Sequence, residues 1–343
     1  MKPTPPSAAT SSTATPWRAL FISWGKLHRA DTIAARLGIP SYTIRYFYRG
    51  YRGTPLPLTV LKYFLQAIHT IFLCILRRPR VVFVTHPPLF AVVAVYLYAV
   101  VFRARCVIDF HSGCFIQEHW RRWDRWQRFL ARRAALNLVH NADNAKVVEE
   151  WGAAYEILPS LPPQIEPALG AGKGTRPLAV YICSFKEDEP VDALLDAARG
   201  LPEVDFSVTG RAPAGLSERL PANVRLTGFL SDDDYVALLS RADAVIALTL
   251  RSGTLVYGAQ EAIALHKPLV LSGTQTLREY FASCGAVFSE NTPDGLRVAI
   301  RDALSRRVEL VDRMAKFQEQ YLAEGQARLA RIRARLEVPQ ASV

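Results

Sequence analysis

Short apolar runs alternate with longer stretches of helical periodicity along most of the chain. The runs lie at residues 18–23, 80–85, 105–110 and 135–140 in the first half, and at 178–184, 204–209, 244–248 and 269–271 in the second. They are nearly continuous in apolar residues, which is typical of parallel strands buried on both faces. Strands that alternate with helices indicate βαβ units, so the pattern predicts an α/β fold with parallel sheets.

A proline- and glycine-rich segment separates the two sets of strands. Residues 159–177 contain five prolines and three glycines and are not expected to form regular structure. A chain of 343 residues is long enough for two domains. We therefore predict a disordered tail at 1–16, a first domain at 17–160, a linker at 161–177, a second domain at 178–306 and a last helix at 307–343.

The net charge of +11 is concentrated in the first half of the chain. Residues 1–160 contain 21 Lys and Arg against 8 Asp and Glu, a net charge of +13, whereas residues 161–343 contain 21 against 23, a net charge of −2. Such asymmetry indicates that one half meets an anionic surface. We expect this surface to be an anionic membrane or a lipid pyrophosphate rather than nucleic acid, since basic side chains near anionic lipids each contribute about 1 kcal/mol.

Four stretches of the first half bear on a membrane. Residues 56–76 and 88–102 are strongly apolar, but the first contains Lys62 and Gln66 and the second is too short to span a bilayer, so both are expected to be helices packed on a buried sheet. Residues 120–135 predict one basic amphipathic helix, with its aromatic stripe packed on the domain and its arginines towards a membrane. The basic and aromatic residues 45–52 are either a contact for acceptor or membrane, or a solvated turn.

The most informative stretch is residues 248–281. The strand at 244–248 is followed by the polar loop of Ser252, Gly253 and Thr254, and then by a helical pattern that carries Glu261 and stops at Pro268. In parallel sheets ligands bind beyond the carboxyl ends of the strands. The loop can direct backbone N–H groups at an anion. We place Glu261 about two turns into its helix, where its carboxylate can accept hydrogen bonds from a ligand hydroxyl.

Residues 261–270, EAIALHKPLV, resemble the EAmA-x-G-x-PVV signature of GT-B glycosyltransferases, above all glycosyltransferase family 4. The resemblance implies a GT-B fold of two Rossmann-like domains around a cleft, with the last helix returning to the first domain. It implies that Glu261 binds the ribose of a nucleotide-sugar donor. Residues 224–229, VRLTGF, resemble the family's base-binding turn. The other donor-binding residues that it implies are Lys186, Phe229 and Leu230. Arg211 follows a predicted strand and can pair with phosphate, and the loop of Ser252, Gly253 and Thr254 can donate to the diphosphate.

The first domain carries a second, partial resemblance. His86-Pro87-Pro88 follows one strand and the run Ile108-Asp109-Phe110-His111 ends the next, as in lipid-linked β-mannosyltransferases, although His86 stands where those enzymes carry Asn. The resemblance implies that Asp109 and His111 face the cleft and act on the donated sugar. Gly25, in the turn after the first strand, would let a ligand approach the backbone closely.

One departure from family 4 bears on the mechanism. That family carries two glutamates in the pattern E-x7-E, but eight positions before Glu261 stands Gly253. An inverting mechanism, with Asp109 or His111 as the base, is therefore open beside a retaining one. The acidic run at residues 232–234 fits the start of a helix better than a metal site, and no metal or other cofactor is expected.

The sequence thus predicts a metal-independent transferase. It would move a sugar from a UDP- or GDP-sugar to a lipid-linked or polysaccharide acceptor in cell-surface glycan synthesis, as a peripheral protein on the cytoplasmic face of the cell membrane. Five cysteines without metal-type spacing fit a reducing compartment. The alternatives are a GT-B sugar-nucleotide epimerase, which needs no membrane, and an inactive homologue that anchors a partner. Dinucleotide, P-loop and serine-hydrolase motifs do not occur in the sequence.

Overall fold

The computed structural model describes residues 17–25, 27–46, 55–168 and 174–337. The predicted tail at 1–16 lies outside the described residues, as does most of the basic and aromatic loop at 45–52. The fold is α/β with two parallel sheets of six strands each, as the apolar runs predict.

The first sheet is entirely parallel and has the strand order β2-β1-β3-β4-β5-β6. Its strands are β1 (Ala19–Ser23), β2 (Ser41–Thr43), β3 (Val81–His86), β4 (Arg105–Phe110), β5 (Leu136–Val139) and β6 (Tyr155–Ile157). The central strands β1, β3 and β5 are buried at every position, which explains their continuous apolar runs.

Within the described ranges, seven helices accompany this sheet. They are α1 (His28–Leu37), α2 (Leu56–Arg77), α3 (Leu89–Phe102), α4 (Gly113–Ile116), α5 (Glu118–Arg121), α6 (Asp124–Arg133) and α7 (Ala142–Glu150). The helices α2, α3, α6 and α7 share one core with one face of the sheet. The opposite face packs on α1.

The second sheet is also parallel, in the order β12-β11-β10-β7-β8-β9. Its strands are β7 (Leu178–Tyr181), β8 (Asp205–Thr209), β9 (Val224–Gly228), β10 (Ala244–Ala247), β11 (Leu269–Ser272) and β12 (Val287–Ser289). Its helices are α8 (Val191–Arg199), α9 (Asp232–Arg241), α10 (Tyr257–Ala264), α11 (Gln275–Phe281) and α12 (Pro293–Ser305). Two cores, one on each face, hold these helices to the sheet.

The last helix, α13 (Arg307–Glu337), contacts both domains. Its first half places Met314 and Phe317 in a core of the second domain. Its second half places Leu329 and Ile332 against the first sheet, in the core that α1 also joins. The helix therefore bridges the cores of the two domains.

The expectation of one continuous helix at 120–135 is wrong. The structure has α5 and α6 there, with a break at Arg122 and Trp123. At the break, the carbonyl oxygen of Trp120 accepts from the amide of Trp123 at 2.9 Å and from Nε2 of Gln127 at 2.9 Å. In a continuous helix that carbonyl oxygen would accept a hydrogen bond from the amide four residues later. The Gln127 side chain therefore replaces one backbone hydrogen bond.

The two apolar stretches do form helices, α2 and α3, but burial on the sheet is incomplete. Each has one side in the core of the first domain and another open to solvent. Among the described residues, one helix is long and apolar enough to cross a membrane, at Pro57–Arg77 within α2. The aromatic stripe predicted to pack on the domain is also partly outside it, since Trp123 is 39% and Trp126 is 56% exposed.

Candidate active site

Residues singled out in the second domain lie where its parallel strands end. Lys186 follows β7, Arg211 follows β8, Phe229 and Leu230 follow β9, and the loop at 252–254 follows β10. Carboxyl ends of parallel strands share one edge of a sheet, so this edge gathers the side chains that the sequence marked for donor binding.

Glu261 is the best defined of these residues. Its helix α10 begins only at Tyr257, so the residue lies one turn rather than two turns from the start, because the chain from Arg251 to Val256 is not helical. The Glu261 Oε2 atom accepts a hydrogen bond from the hydroxyl of Tyr235 at 2.8 Å. Burial raises the pKa of Glu261 to about 7, and the Tyr235 hydroxyl opposes the shift. The carboxylate is thus a desolvated acceptor that holds one donor and can accept others.

The loop of Ser252, Gly253 and Thr254 is tied to its surroundings at its centre. The Gly253 amide donates to Oγ1 of Thr276 at 3.2 Å, and its carbonyl oxygen accepts from Nδ2 of Asn141 in the first domain at 3.0 Å. Gly253 has φ +69°, a conformation that favours glycine. The amide that we expect to bind the donor diphosphate is therefore engaged, and it would have to leave Thr276 to bind a phosphate.

Glu189, which was not singled out from the sequence, organises the loop after β7. The carboxylate of Glu189 accepts from the amide of Lys186 at 2.7 Å and from the amide of Ser184 at 3.1 Å. The Lys186 side chain is exposed, as is Arg211 in the neighbouring loop. A Cβ at Gly210, which has φ +88°, would lie 2.2 Å from the carbonyl oxygen of Cys183, so glycine is needed where the two loops meet.

Phe229 and Leu230 have different surroundings. Phe229 is 87% exposed, whereas Leu230 is half-buried in the loop before Ser231, which caps α9 by accepting from the Asp234 amide at 3.1 Å. The acidic run at residues 232–234 is the first turn of this helix, as predicted. An exposed aromatic ring at the edge of the sheet is suited to stacking on a planar ligand.

In the first domain, Asp109 is bound to an arginine that the sequence did not single out. Arg29 Nε lies 3.0 Å from Oδ1 and 3.2 Å from Oδ2 of Asp109, and Nη2 also donates to the carbonyl oxygen of Leu158 at 2.8 Å. Both side chains are buried. Burial acts to raise the pKa of Asp109, but the charge of Arg29, followed by His111, holds it well below its usual range. Asp109 is a fixed, buried carboxylate.

His111 lies beside this ion pair and keeps contact with solvent. Its Nε2 atom is 3.5 Å from Oδ2 of Asp109, and its side chain is 22% exposed. The ring of His140 is 4.9 Å away, between centroids. Burial, followed by the charge of Arg29, lowers the pKa of His140 well below its usual value, so this second imidazole is neutral.

The ligand types of Asp109, His111 and His140 also occur in metal sites, and their nearest ligand atoms all lie within 4.8 Å of one another. However, both carboxylate oxygens of Asp109 already accept hydrogen bonds from Arg29. The guanidinium charge would repel a cation at this point. The cluster is therefore better suited to proton transfer and charge stabilisation than to metal binding.

Two other marked residues of the first domain have structural partners. His86, at the position of the family's Asn, is buried and its Nε2 atom is 2.9 Å from Oε1 of Gln127. Burial lowers its pKa to about 4. Gly25 is half-buried in the turn after β1, where its carbonyl oxygen accepts from Oγ of Ser23 at 2.8 Å, and a Cβ there would meet nothing within 4 Å.

The two halves of the site meet around Tyr257. Its ring stacks on His28 of α1 with a centroid separation of 5.5 Å. Burial and then the charge of Glu261 raise the pKa of Tyr257 to about 12, and Arg29 opposes the shift. Tyr257 is thus within electrostatic range of both the donor-binding carboxylate and the cluster around Asp109.

Arg29, His140, Tyr235 and Tyr257 were missed from the sequence. Arg29 and Tyr235 lie in helical patterns, where a buried arginine or tyrosine has the same spacing as a solvated one. The weak signal for His140 was its position at the end of a predicted strand, next to the strand that ends in Asp109.

Comparison with known proteins agrees with this geometry. Residues 170–321 match the family described as glycosyl transferases group 1, so the second half of the chain is similar to that family. No curated protein matches the chain. The specific likeness of the first domain to lipid-linked β-mannosyltransferases stays a prediction.

Solved structures share the fold at low sequence identity. Anabaena Alr3699/HepE, in complex with UDP and glucose, has a TM-score of 0.69 at 13% identity, over 92% of this chain and 100% of its own. A sucrose-phosphate synthase from Thermosynechococcus elongatus has a TM-score of 0.68 at 11% identity, over 92% and 98%. A putative UDP-N-acetylglucosamine 2-epimerase from Listeria monocytogenes has a TM-score of 0.62 at 13% identity, over 92% and 95%. These similarities establish the GT-B fold.

Proposed function

We propose that the protein transfers a sugar from a UDP- or GDP-sugar to a hydroxyl of a lipid-linked or polysaccharide acceptor, in cell-surface glycan synthesis on the cytoplasmic face of the cell membrane. The observation that carries the proposal is Glu261, a desolvated carboxylate in a group 1 glycosyl transferase domain. A carboxylate in that state accepts strong hydrogen bonds from the two hydroxyls of a ribose. HepE, which shares the fold, binds UDP and UDP-glucose.

Contacts to the rest of the donor follow from the same edge of the second sheet. Phe229 would stack on the base, and Lys186 and Arg211 would pair with the diphosphate. Ser252 and Thr254, beside Gly253, would add uncharged hydrogen-bond donors to the diphosphate. Preorganised dipoles of this kind stabilise a leaving group where its charge develops.

Within this proposal His111 is the base. A base must reach the acceptor, and Asp109 cannot, because it is fully buried and held by Arg29. His111 would take the proton of the acceptor hydroxyl as that oxygen bonds to the anomeric carbon. The bond from the anomeric carbon to the diphosphate would break, and the nucleoside diphosphate would leave. Asp109 would stabilise the imidazolium from 3.5 Å. This displacement inverts the anomeric configuration, and it needs no metal.

A donor panel tests the proposal. Purified protein is incubated with UDP- and GDP-sugars, with and without lipid-linked acceptor, and nucleotide release is measured. Release that depends on acceptor supports transfer. A changed sugar nucleotide without release would identify an epimerase, and absence of donor binding would identify a scaffold. Either result contradicts the proposal.

Two variants assign the chemistry. His111→Gln is expected to lower kcat by about 100-fold or more and leave the donor Kd unchanged, because general-base catalysis typically contributes 10²–10⁴-fold. Glu261→Gln is expected to weaken donor binding instead.

The anomeric configuration of the product, read by NMR, distinguishes inversion from retention. Retention would exclude His111 as the base that deprotonates the attacking oxygen.

A further inference from the structure

The outer surface of α2 carries apolar side chains along its whole length. Its exposed hydrophobic side chains have 37–65% exposure, and they are Leu58, Val60, Leu61, Phe64, Ile68, Phe72, Ile75 and Leu76. From Leu61 onward they recur every three or four residues, so they form one stripe on the helix. A stripe of this kind normally faces a protein core, yet here it faces outward.

Two polar side chains of α2, Gln66 and Thr70, face the protein instead. Gln66 is buried and donates to the carbonyl oxygen of Ile44 at 2.6 Å. Thr70 is buried and its Oγ1 accepts from Nε1 of Trp24 at 2.9 Å. The outer side is therefore more apolar than that of a water-facing helix, which indicates that it is adapted to an apolar medium.

Aromatic contacts extend this surface to the neighbouring helices. Phe90 of α3 lies 5.3 Å from Tyr63 of α2 and 5.9 Å from Trp123, between ring centroids. Exposed hydrophobic residues continue along α3 and α6: Phe90, Leu97, Val100, Val101, Phe102, Trp126 and Phe129. We call this continuous apolar surface of α2, α3 and α6 the outer face.

Arginines surround the outer face. Arg77, Arg78 and Arg103 are exposed at the ends of α2 and α3. Six more lie on or beside α5 and α6: Arg121, Arg122, Arg125, Arg128, Arg132 and Arg133. The guanidinium of Arg133 lies over the ring of Phe129, 3.7 Å from its centroid, so cationic and aromatic groups share one surface. Together with the net charge of +13 in residues 1–160, this complements anionic headgroups.

We propose that the outer face docks on an anionic lipid bilayer, with α2 lying along the headgroup boundary of one leaflet rather than crossing it. A helix of 22 residues is about 33 Å long and could span the hydrocarbon core by length alone. Crossing would require α2 to leave the sheet and break the buried bonds of Gln66 and Thr70. Lying flat keeps those bonds and buries the stripe in lipid.

The outer face reaches the edge of the first domain that carries the site, and in this respect the inference deepens the proposed function. Phe90 is in the first turn of α3, directly after the loop that ends β3. Ile116, which is 41% exposed, ends α4 five residues after His111. A lipid-linked acceptor held in the leaflet would therefore approach His111 from the membrane side.

Vesicle sedimentation tests the docking surface. Full-length protein is mixed with phosphatidylcholine vesicles with and without phosphatidylglycerol. We expect binding that requires phosphatidylglycerol and weakens with salt. The double variant Phe64→Gln/Phe72→Gln is expected to lower the partition coefficient at least tenfold. The control Val298→Gln/Val308→Gln removes two apolar side chains from α12 and α13 that are more exposed still, at 70% and 74%, and it is expected to bind as the wild type does.

Two further measurements separate the alternatives. Thiol labelling from outside the vesicles uses Pro55→Cys and Arg78→Cys, which flank α2, since all five native cysteines are buried. Labelling of both sites supports a flat helix, and protection of one overturns it. Sedimentation velocity without vesicles detects a second copy on the outer face: a dimer that Phe64→Gln/Phe72→Gln dissociates, without vesicle binding, overturns the proposal.

Vesicle binding and UDP binding are measured on the same samples. Intact UDP binding in Phe64→Gln/Phe72→Gln shows that the variant is folded. Absence of acceptor-dependent nucleotide release in the donor panel would overturn the proposed function and leave vesicle binding unchanged, so the two proposals fail independently. Equal vesicle binding by the wild type and by Phe64→Gln/Phe72→Gln would overturn the docking surface.

Discussion

At the scale of single residues, the donor site depends on a carboxylate that titrates near neutral pH. Burial raises the pKa of Glu261 to about 7, and the hydroxyl of Tyr235 limits the rise. Ribose hydroxyls donate to the charged carboxylate, and the protonated acid is the weaker acceptor. Donor affinity should therefore increase as pH rises through about 7 and decrease below it.

Substitution of Glu261 tests this directly. Glu261→Gln keeps the shape but removes the charge, and hydrogen bonds to charged groups contribute about 1.5–3 kcal/mol, so donor affinity at pH 8 should fall by about 10- to 100-fold. The dependence on pH between 6 and 8 should disappear with it. Calorimetric titration with UDP measures both effects. In Tyr235→Phe the pH midpoint should move upward, because the hydroxyl that lowers the pKa is gone, and a downward shift would contradict this assignment.

The buried pair of Arg29 and Asp109 makes a second prediction at this scale. Arg29→Met should destabilise the fold by about 3–5 kcal/mol, because it leaves an unpaired carboxylate in the core. Arg29→Met/Asp109→Leu should recover at least half of the loss. Urea denaturation measures the free energy of unfolding for each. Arg36→Met on the same helix is the control, since Arg36 bonds only the carbonyl oxygen of Pro162 among the described contacts. A loss under 1 kcal/mol in Arg29→Met would refute the argument.

At the scale of elements, the α/β pattern was predictable and the surroundings of the helices were not. The continuous apolar runs placed the core strands within a residue or two of β1, β3 and β4. The helical periodicity of α2 was equally clear, but periodicity does not show which side of the helix packs on the protein. Only the structure shows that Gln66 faces inward and Phe72 outward, and that a side chain of Gln127 interrupts the helix predicted at 120–135.

The orientation of α2, with Gln66 inside and Phe72 outside, can be tested by the stability of two variants in water. Gln66→Ala should cost about 1–3 kcal/mol, because the carbonyl group of Ile44 loses its buried donor. Phe72→Ala should change the free energy of unfolding by no more than about 0.5 kcal/mol, because the ring is 62% exposed. Urea denaturation of the two variants in the absence of lipid makes the comparison. A larger loss in Phe72→Ala than in Gln66→Ala would mean that the stripe packs on protein in solution.

At the scale of the molecule, the site exists only because the two domains are held together. Asn141 reaches the Gly253 loop across the cleft, and Tyr257 stacks on His28. The EAIALHKPLV run could be recognised from the sequence because its residues are adjacent, and the donor-binding roles assigned from it stay predictions. The cluster of Arg29, Asp109, His111 and His140 was readable only in part, because its members come from three separate segments of the first domain: α1, the end of β4 and the end of β5.

The helix α13 contacts both domains. Its glycine, Gly325, determines how closely it packs on the segment that links the domains. Gly325 is buried, and a Cβ there would lie 2.3 Å from Cδ2 of Leu161. Leu161 is itself 4% exposed in the core that holds Leu329 and Ile332, so it has little room to move.

This close approach predicts a reversal of the usual helix preference. Alanine in place of glycine inside a helix normally stabilises a protein by about 1 kcal/mol. Gly325→Ala should instead lower the free energy of unfolding, because the new methyl group collides with Leu161, and overpacking of a core typically costs about 1–3 kcal/mol. Gly325→Ala/Leu161→Ala should relieve the collision. Its loss in free energy of unfolding should be smaller than the sum of the losses in the two single variants. Ala323→Val, at an exposed position of α13, is the control and should have little effect. Urea denaturation of Gly325→Ala, Leu161→Ala, the double variant and the control completes the cycle. Stabilisation by Gly325→Ala alone would show that α13 does not pack tightly on the connecting chain.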